Sequence, residues 1–117
     1  MAIIVPTSET LGAGVTVYTW AAMANGDTGT PLVMPASADK TVQADGNFGV
    51  GGSVAMQGSN NNVAFGALND ADGSVIALTA DTILSMVREN PKFIRPAVTA
   101  GDGATALAVV LVVKRTT

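Results

Sequence analysis

Thr105-Ala106-Leu107-Ala108-Val109-Val110-Leu111-Val112-Val113-Lys114 is the stretch that decides the fold. Its β-branched residues favour an extended chain. In a strand, successive side chains point to opposite faces. A run that is apolar from Ala106 to Val113 is therefore apolar on both faces, and such a strand belongs at the centre of a sheet or under another chain. Eight apolar residues are too few to cross a bilayer as a helix.

Upstream, the same signature recurs in shorter pieces. Val15-Thr16-Val17-Tyr18-Thr19-Trp20 alternates β-branched and aromatic residues and reads as the first strand. Asn25-Gly26-Asp27-Thr28-Gly29-Thr30-Pro31 is dense turn chemistry. Leu32-Val33-Met34-Pro35 is a short strand that proline confines to a sheet edge. Lys40-Thr41-Val42-Gln43-Ala44 alternates again, and Asp45-Gly46 predicts a hairpin turn into Asn47-Phe48-Gly49-Val50. After Gly51-Gly52, the run from Ser53 to Ser59 sets Val54 and Met56 on one face and Ser53, Ala55 and Gln57 on the other. Asn60-Asn61-Asn62 is a loop tip. Val63 to Leu68 and Ser74 to Thr79 read as strands on either side of the turn Asn69-Asp70-Ala71-Asp72-Gly73.

One segment departs from this pattern. Ile83, Leu84, Met86 and Val87 fall at i, i+1, i+3 and i+4, which predicts a short helix within residues 81–89 that Asn90-Pro91 stops. Lys92 to Thr99 resumes an extended path, and Gly101-Asp102-Gly103 turns into the final strand. Residues 1–14 have no clear period and read as an extended N-terminal arm. It either lies on a neighbour or adds a strand to the edge of its own sheet. The sum is an all-β chain, an antiparallel sandwich or barrel of about eight short strands forming one domain over residues 15–117.

A chain of 117 residues suits a single domain. Charged residues make up 13%, roughly half the globular norm, and a small-residue, low-charge surface suits a protein that lives against partners. The net charge of −3 argues against coating nucleic acid. The charges are unevenly spread. From Met1 to Val87 one base, Lys40, stands against seven acids, and from Arg88 onward five bases stand against Glu89 and Asp102. Such segregation reads first as scattered solvated charge. The sharper reading is a dipolar surface that steers docking on a partner, with the basic segment Arg88 to Arg95, and its Arg88, Lys92 and Arg95, as the favoured contact.

The chain has neither Cys nor His, which removes disulfides, thiolate and imidazole metal sites and the ordinary nucleophile–base triads. Met1-Ala2-Ile3-Ile4-Val5-Pro6 is apolar but short, with no preceding base, and fits neither a signal peptide nor a membrane anchor. Gly49-Val50-Gly51-Gly52 lacks the Lys-Ser/Thr and the helix of a phosphate loop. Asp70, Asp72 and Asp102 could approach calcium, but no distal bidentate Glu follows, and turn capping explains them. Tyr18 and Trp20 share a strand face. Exposed, they would stack on a sugar; buried, they would fill a core poor in large side chains. No enzyme activity, cofactor or metal is expected.

Four runs carry a resemblance: Gly52-Ser53-Val54-Ala55-Met56-Gln57-Gly58-Ser59-Asn60, Leu68-Asn69-Asp70-Ala71-Asp72-Gly73, Glu89-Asn90-Pro91-Lys92-Phe93-Ile94-Arg95-Pro96 and Val98-Thr99-Ala100-Gly101-Asp102-Gly103-Ala104-Thr105. In this order they resemble the head decoration, or cement, proteins of some short-tailed bacteriophages, over roughly residues 40–114. The resemblance implies a jelly-roll-like β-sandwich on the outer surface of the virion. It also implies a homo-oligomer, dimer or trimer, that straps neighbouring major capsid protein subunits and has no catalytic residues, nucleic acid or membrane to contact. A tail or head–tail connector component, and a carbohydrate-binding module built on Trp20 and Tyr18, are the competing expectations.

Overall fold

The alternation is realised as two sheets packed face to face in a computed structural model that describes residues 1–33 and 39–115. One sheet holds β2 (Thr7–Gly12), β3 (Val15–Met23), β11 (Ala106–Lys114), β6 (Asp39–Asn47) and β9 (Leu84–Met86), in that spatial order. The other runs β1 (Ile3–Ile4), β4 (Thr28–Gly29), β10 (Phe93–Ala100), β7 (Ser53–Ser59) and β8 (Gly66–Ala67), with β5 (Leu32–Val33) also on β10. Every pairing between these strands is antiparallel except β1 with β4. No helix occurs among the described residues.

β11 sits between β3 and β6, as its two apolar faces require. Leu107, Val109, Leu111 and Val113 point inward and are buried, with Trp20, Val42 and Ala44 beside them. Val54 and Met56 of β7 and Ile94 and Val98 of β10 close the core from the facing sheet. Each such side chain contributes about 1.5–3 kcal/mol when removed from water.

Trp20 is the largest buried side chain, and two local features seat it. Gly29 leaves the room it needs, since a Cβ there would lie 2.5 Å from the indole nitrogen and 2.6 Å from Pro96. The indole N–H donates to the Thr30 carbonyl at 3.3 Å. Next to it the register with β11 slips between Val109 and Leu107, and Ala22 takes a positive φ of 57°. The extra residue of this bulge turns Met23 inward beside Trp20, where strict alternation would have turned it outward.

The connections follow a simple rule. β3 pairs with β11, β4 and β5 with β10, β6 with β9, and β7 with β8. These are the nested pairs of one long hairpin with its tip at β7–β8. Rolling that hairpin brings β11 against β6 and β10 against β7, which closes both sheets. Strand segments outnumber the expected eight for two reasons. Thr30-Pro31 splits one strand beside β10 into β4 and β5, because proline has no N–H for the ladder. Residues 1–14 contribute the other two, β1 on one sheet and β2 on the other.

Four expectations need correction. Residues 84–86 form strand β9, not a helix: Ile83 and Val87 point to the core while Leu84 and Met86 point outward, so a two-sided strand imitates a helical stripe over five positions. Asp45-Gly46 is not a turn but continues β6 opposite Ala108 and Leu107, and the bend comes after Asn47. Val63 to Leu68 narrows to β8, because the Asn61 carboxamide oxygen accepts from the Val63 and Ala64 amides and curls the chain there. Ser74 to Thr79 makes only single bridges, Val75 with Asn69 and Leu78 with Val54. Of the edge strand expected at Leu32-Val33-Met34-Pro35, Leu32 and Val33 form β5, while Met34 and Pro35 lie outside the described residues.

Candidate interaction surface

Each sheet has an outer face, and the ladder register states which residues lie on it. On the β11 sheet these are Ala108, Val110, Val112 and Lys114 of β11, Val15, Val17 and Thr19 of β3, and Asp39, Thr41, Gln43 and Asp45 of β6. Leu84 and Met86 of β9 extend the face, 64% and 48% exposed. Its middle is apolar, with Val17, Val110 and Val112 side by side. Acids stand around it, with Glu9 opposite Val17, Asp45 opposite Ala108 and Asp39 opposite Lys114.

The outer face of the β10 sheet has the opposite character. Phe93, Arg95 and Ala97 lie opposite Ser59, Gln57 and Ala55. The Arg95 guanidinium stacks on Phe65 at 3.8 Å from the ring centre and donates through Nε to Gln57 Oε1 at 2.9 Å. Lys92 Nζ lies 5.5 Å from the centre of the Phe93 ring. Contacts of this kind gain from the negative face of an aromatic ring. No carboxylate sits at a paired position of β7 or β10 on this face.

The segregation read along the chain thus becomes a difference between two faces. Arg95 lies on the β10 face and Lys92 at its start, over Phe93, whereas Arg88 stands apart at the Asn69–Gly73 turn, 4.0 Å from Glu89. Leu84 and Met86 escape a helical reading because it buries them; their strict alternation was the available signal. Phe65 lies in a loop with no periodicity to mark it.

β2 is a third feature. All six of its residues are exposed, including Ser8 and Thr10, whose register with Tyr18 and Thr16 places them on the inner side. The strand therefore reaches past the facing sheet. It bonds β3 on one side and leaves its other edge unpaired among the described residues.

The remaining polar groups hold loops. Asp70 accepts from the Asp72 and Ser74 amides, both at 3.0 Å, and so caps its own turn. Asp102 takes the Val50 amide at 2.9 Å and the Ala104 amide at 2.9 Å, and these bonds keep its carboxyl below the usual range. Glu89 is lowered in the same way by the Asn69 backbone and side-chain amides at 2.7 and 2.8 Å. Asp27 is lowered by the Ala24 and Ala2 amides at 2.9 and 2.8 Å, the second of which ties residues 1–4 to the domain. Lys40 is buried and donates to Asn90 Oδ1; desolvation pushes its pKa down, against the pull of Asp39 and Glu89.

Among the described residues no three His, Cys, Asp or Glu side chains converge on a metal-sized site. The Gly49–Gly52 run is the turn between β6 and β7. A cleft of about 430 Å³ between Ser59, Ala67 and Pro91 has Glu89 as its single charged side chain. Trp20 is fully buried and Tyr18 packs half-buried against the core, so the pair offers no platform for a sugar ring. Family models, curated proteins and solved structures were compared with the chain, and none matches.

Proposed function

We propose that this chain is a non-enzymatic structural protein of a bacteriophage virion, a cement protein that binds the outside of the head and bridges major capsid protein subunits. The observation that carries the reading is the β2 edge, unpaired among the described residues: a six-residue strand that extends the β11 sheet past the facing sheet and bears one charge, Glu9. Edge strands of soluble proteins are ordinarily blunted by lysine, proline, a bulge or cover. β2 has an irregularity only at its end, between Thr10 and Gly12, and among the described residues no lysine, proline or covering segment blunts it. An open strand of this kind can extend a partner's sheet through main-chain bonds. Many copies on one shell would add avidity to a weak single contact.

Two further observations support it. With the principal strands counted from β3 and with β4 and β5 taken as one, the β11 sheet reads first, eighth, third, sixth. The other reads second, seventh, fourth, fifth. That order supports a jelly-roll reading, a fold frequent in viral capsid domains. The resemblance of residues 40–114 to phage decoration proteins points the same way.

The test is to mix purified protein with undecorated heads and pellet them. Co-pelleting in a fixed ratio to coat subunits, with a raised disruption temperature, is expected. Ser8→Lys with Thr10→Lys should cut head binding at least tenfold with an unchanged melting temperature. Protein that stays in the supernatant, or that binds isolated tails but not heads, overturns the reading; the second result points to a tail or connector component.

A further inference from the structure

We infer that two copies of this chain associate head to tail, the outer face of the β11 sheet of one copy docking on the outer face of the β10 sheet of the next. The inference rests on the homo-oligomer part of the proposed function and not on its capsid part.

Three observations carry it. The first is the cover that β11 asks for. Its inward residues are buried by the facing sheet, but Val110 and Val112 are only half-buried, next to exposed Leu84 and Met86. The second is charge. Glu9, Asp39 and Asp45 rim the β11 face against one base, Lys114, while the β10 face presents Arg95, with Lys92 at its start, and has no carboxylate at a paired position of β7 or β10. Two β11 faces brought together would set acids against acids, and two β10 faces bases against bases. Only the unlike pairing satisfies both. The third is preorganisation. Arg95 is already fixed by Gln57 and Phe65, so little side-chain freedom remains to be lost on docking.

Size sets the strength. Five strands at their usual spacing, showing two to four outward residues each, give a face of roughly 400–500 Å². A contact burying about 1,000 Å² in total lies at the lower limit for a specific interface. Association is therefore expected at micromolar or higher concentration. A heterologous contact of this kind either closes into a ring or extends as an open chain.

The experiment is sedimentation equilibrium with single-face variants. Val112→Glu spoils the β11 face and Arg95→Glu the β10 face; Met86→Glu, at an exposed position, repeats the first without touching the core. The unmodified chain should gain mass with concentration, and each variant alone should stay monomeric. Val112→Glu mixed with Arg95→Glu should recover pairs and nothing larger, because each copy retains the face the other needs. Raising NaCl from 50 to 500 mM should weaken the contact at least tenfold. Either variant alone still forming dimers, a mixture that stays monomeric, or association that strengthens with salt overturns the inference. Head binding, read separately by co-pelleting, distinguishes this failure from failure of the cement reading.

Discussion

The two sheets are built by different means. The β11 sheet rests on three nine-residue strands with continuous ladders and a wall of buried Val, Leu and Trp. The β10 sheet has two long strands, and the others, β1, β4, β5 and β8, are two residues each. What the second lacks in ladder it gains from side chains. Asn61, Asp70, Glu89 and Asp27 each hold backbone amides that would otherwise need a strand partner. One half is fixed by burial and the other by carboxylates and carboxamides, so the two should fail under different insults.

The largest effect should come from the shared core. Trp20→Ala removes the side chain that both sheets enclose and is expected to cost about 3–5 kcal/mol, a large part of the stability of a domain this size. Urea denaturation measures it. Leu111→Ala, at the centre of the β11 sheet, should cost about 2–5 kcal/mol by the same assay. A value below 1 kcal/mol for either would break the contrast, because burial would then not dominate that half.

Glu89→Gln probes the other half. It weakens the charge-assisted bonds to Asn69 and should cost about 1–2 kcal/mol. Its sharper signature is local, with faster amide exchange in residues 69–76 while β11 stays protected. Acid should act on the same half. The Asp27, Glu89 and Asp102 carboxyls are lowered in the folded state, so the stability they contribute is present above their unfolded pKa values of about 4 and is lost as pH falls through the folded values. A two-dimensional NMR titration below pH 4 should move the Ala24, Val50 and Asn69 amides before those of β11. Simultaneous loss of both sets would show that the sheets are one cooperative unit at acid pH. The smallest change is Ala22→Gly, which relieves the left-handed backbone at the β3 bulge and should alter stability by about 0.5 kcal/mol or less, favourable if the strain exceeds glycine's entropy.

The same contrast explains what the sequence disclosed. β3, β6, β7, β10 and β11 were legible over most of their length because β-branched residues and period-two burial mark them. β3 and β6 each run three residues past the stretch so marked, to Met23 and Asn47. The stretch 60–91 was not, since its shape depends on single polar side chains reaching amides distant in sequence, as Glu89 reaches Asn69. A period cannot encode such a bond. The candidate surface was half legible. Charge segregation and the two-sided β11 pointed to it, but which charges share a face depends on the register, which the residue order does not reveal. Phe65 beneath Arg95 shows the limit, because the stack joins a loop to a strand thirty positions away.

The nested pairing also sets a timetable. Val17 and Val112 are neighbours in the sheet but lie near opposite ends of the sequence. Contacts this remote must close long loops before they repay the entropy lost, and all-β proteins of such topology fold over roughly milliseconds to seconds. Until β11 arrives, β3 and β6 each present a bare apolar margin to every other chain nearby. The strand that completes the core is therefore also the one whose delay would let unfinished copies find each other, and yield should improve when synthesis is slowed or cooled.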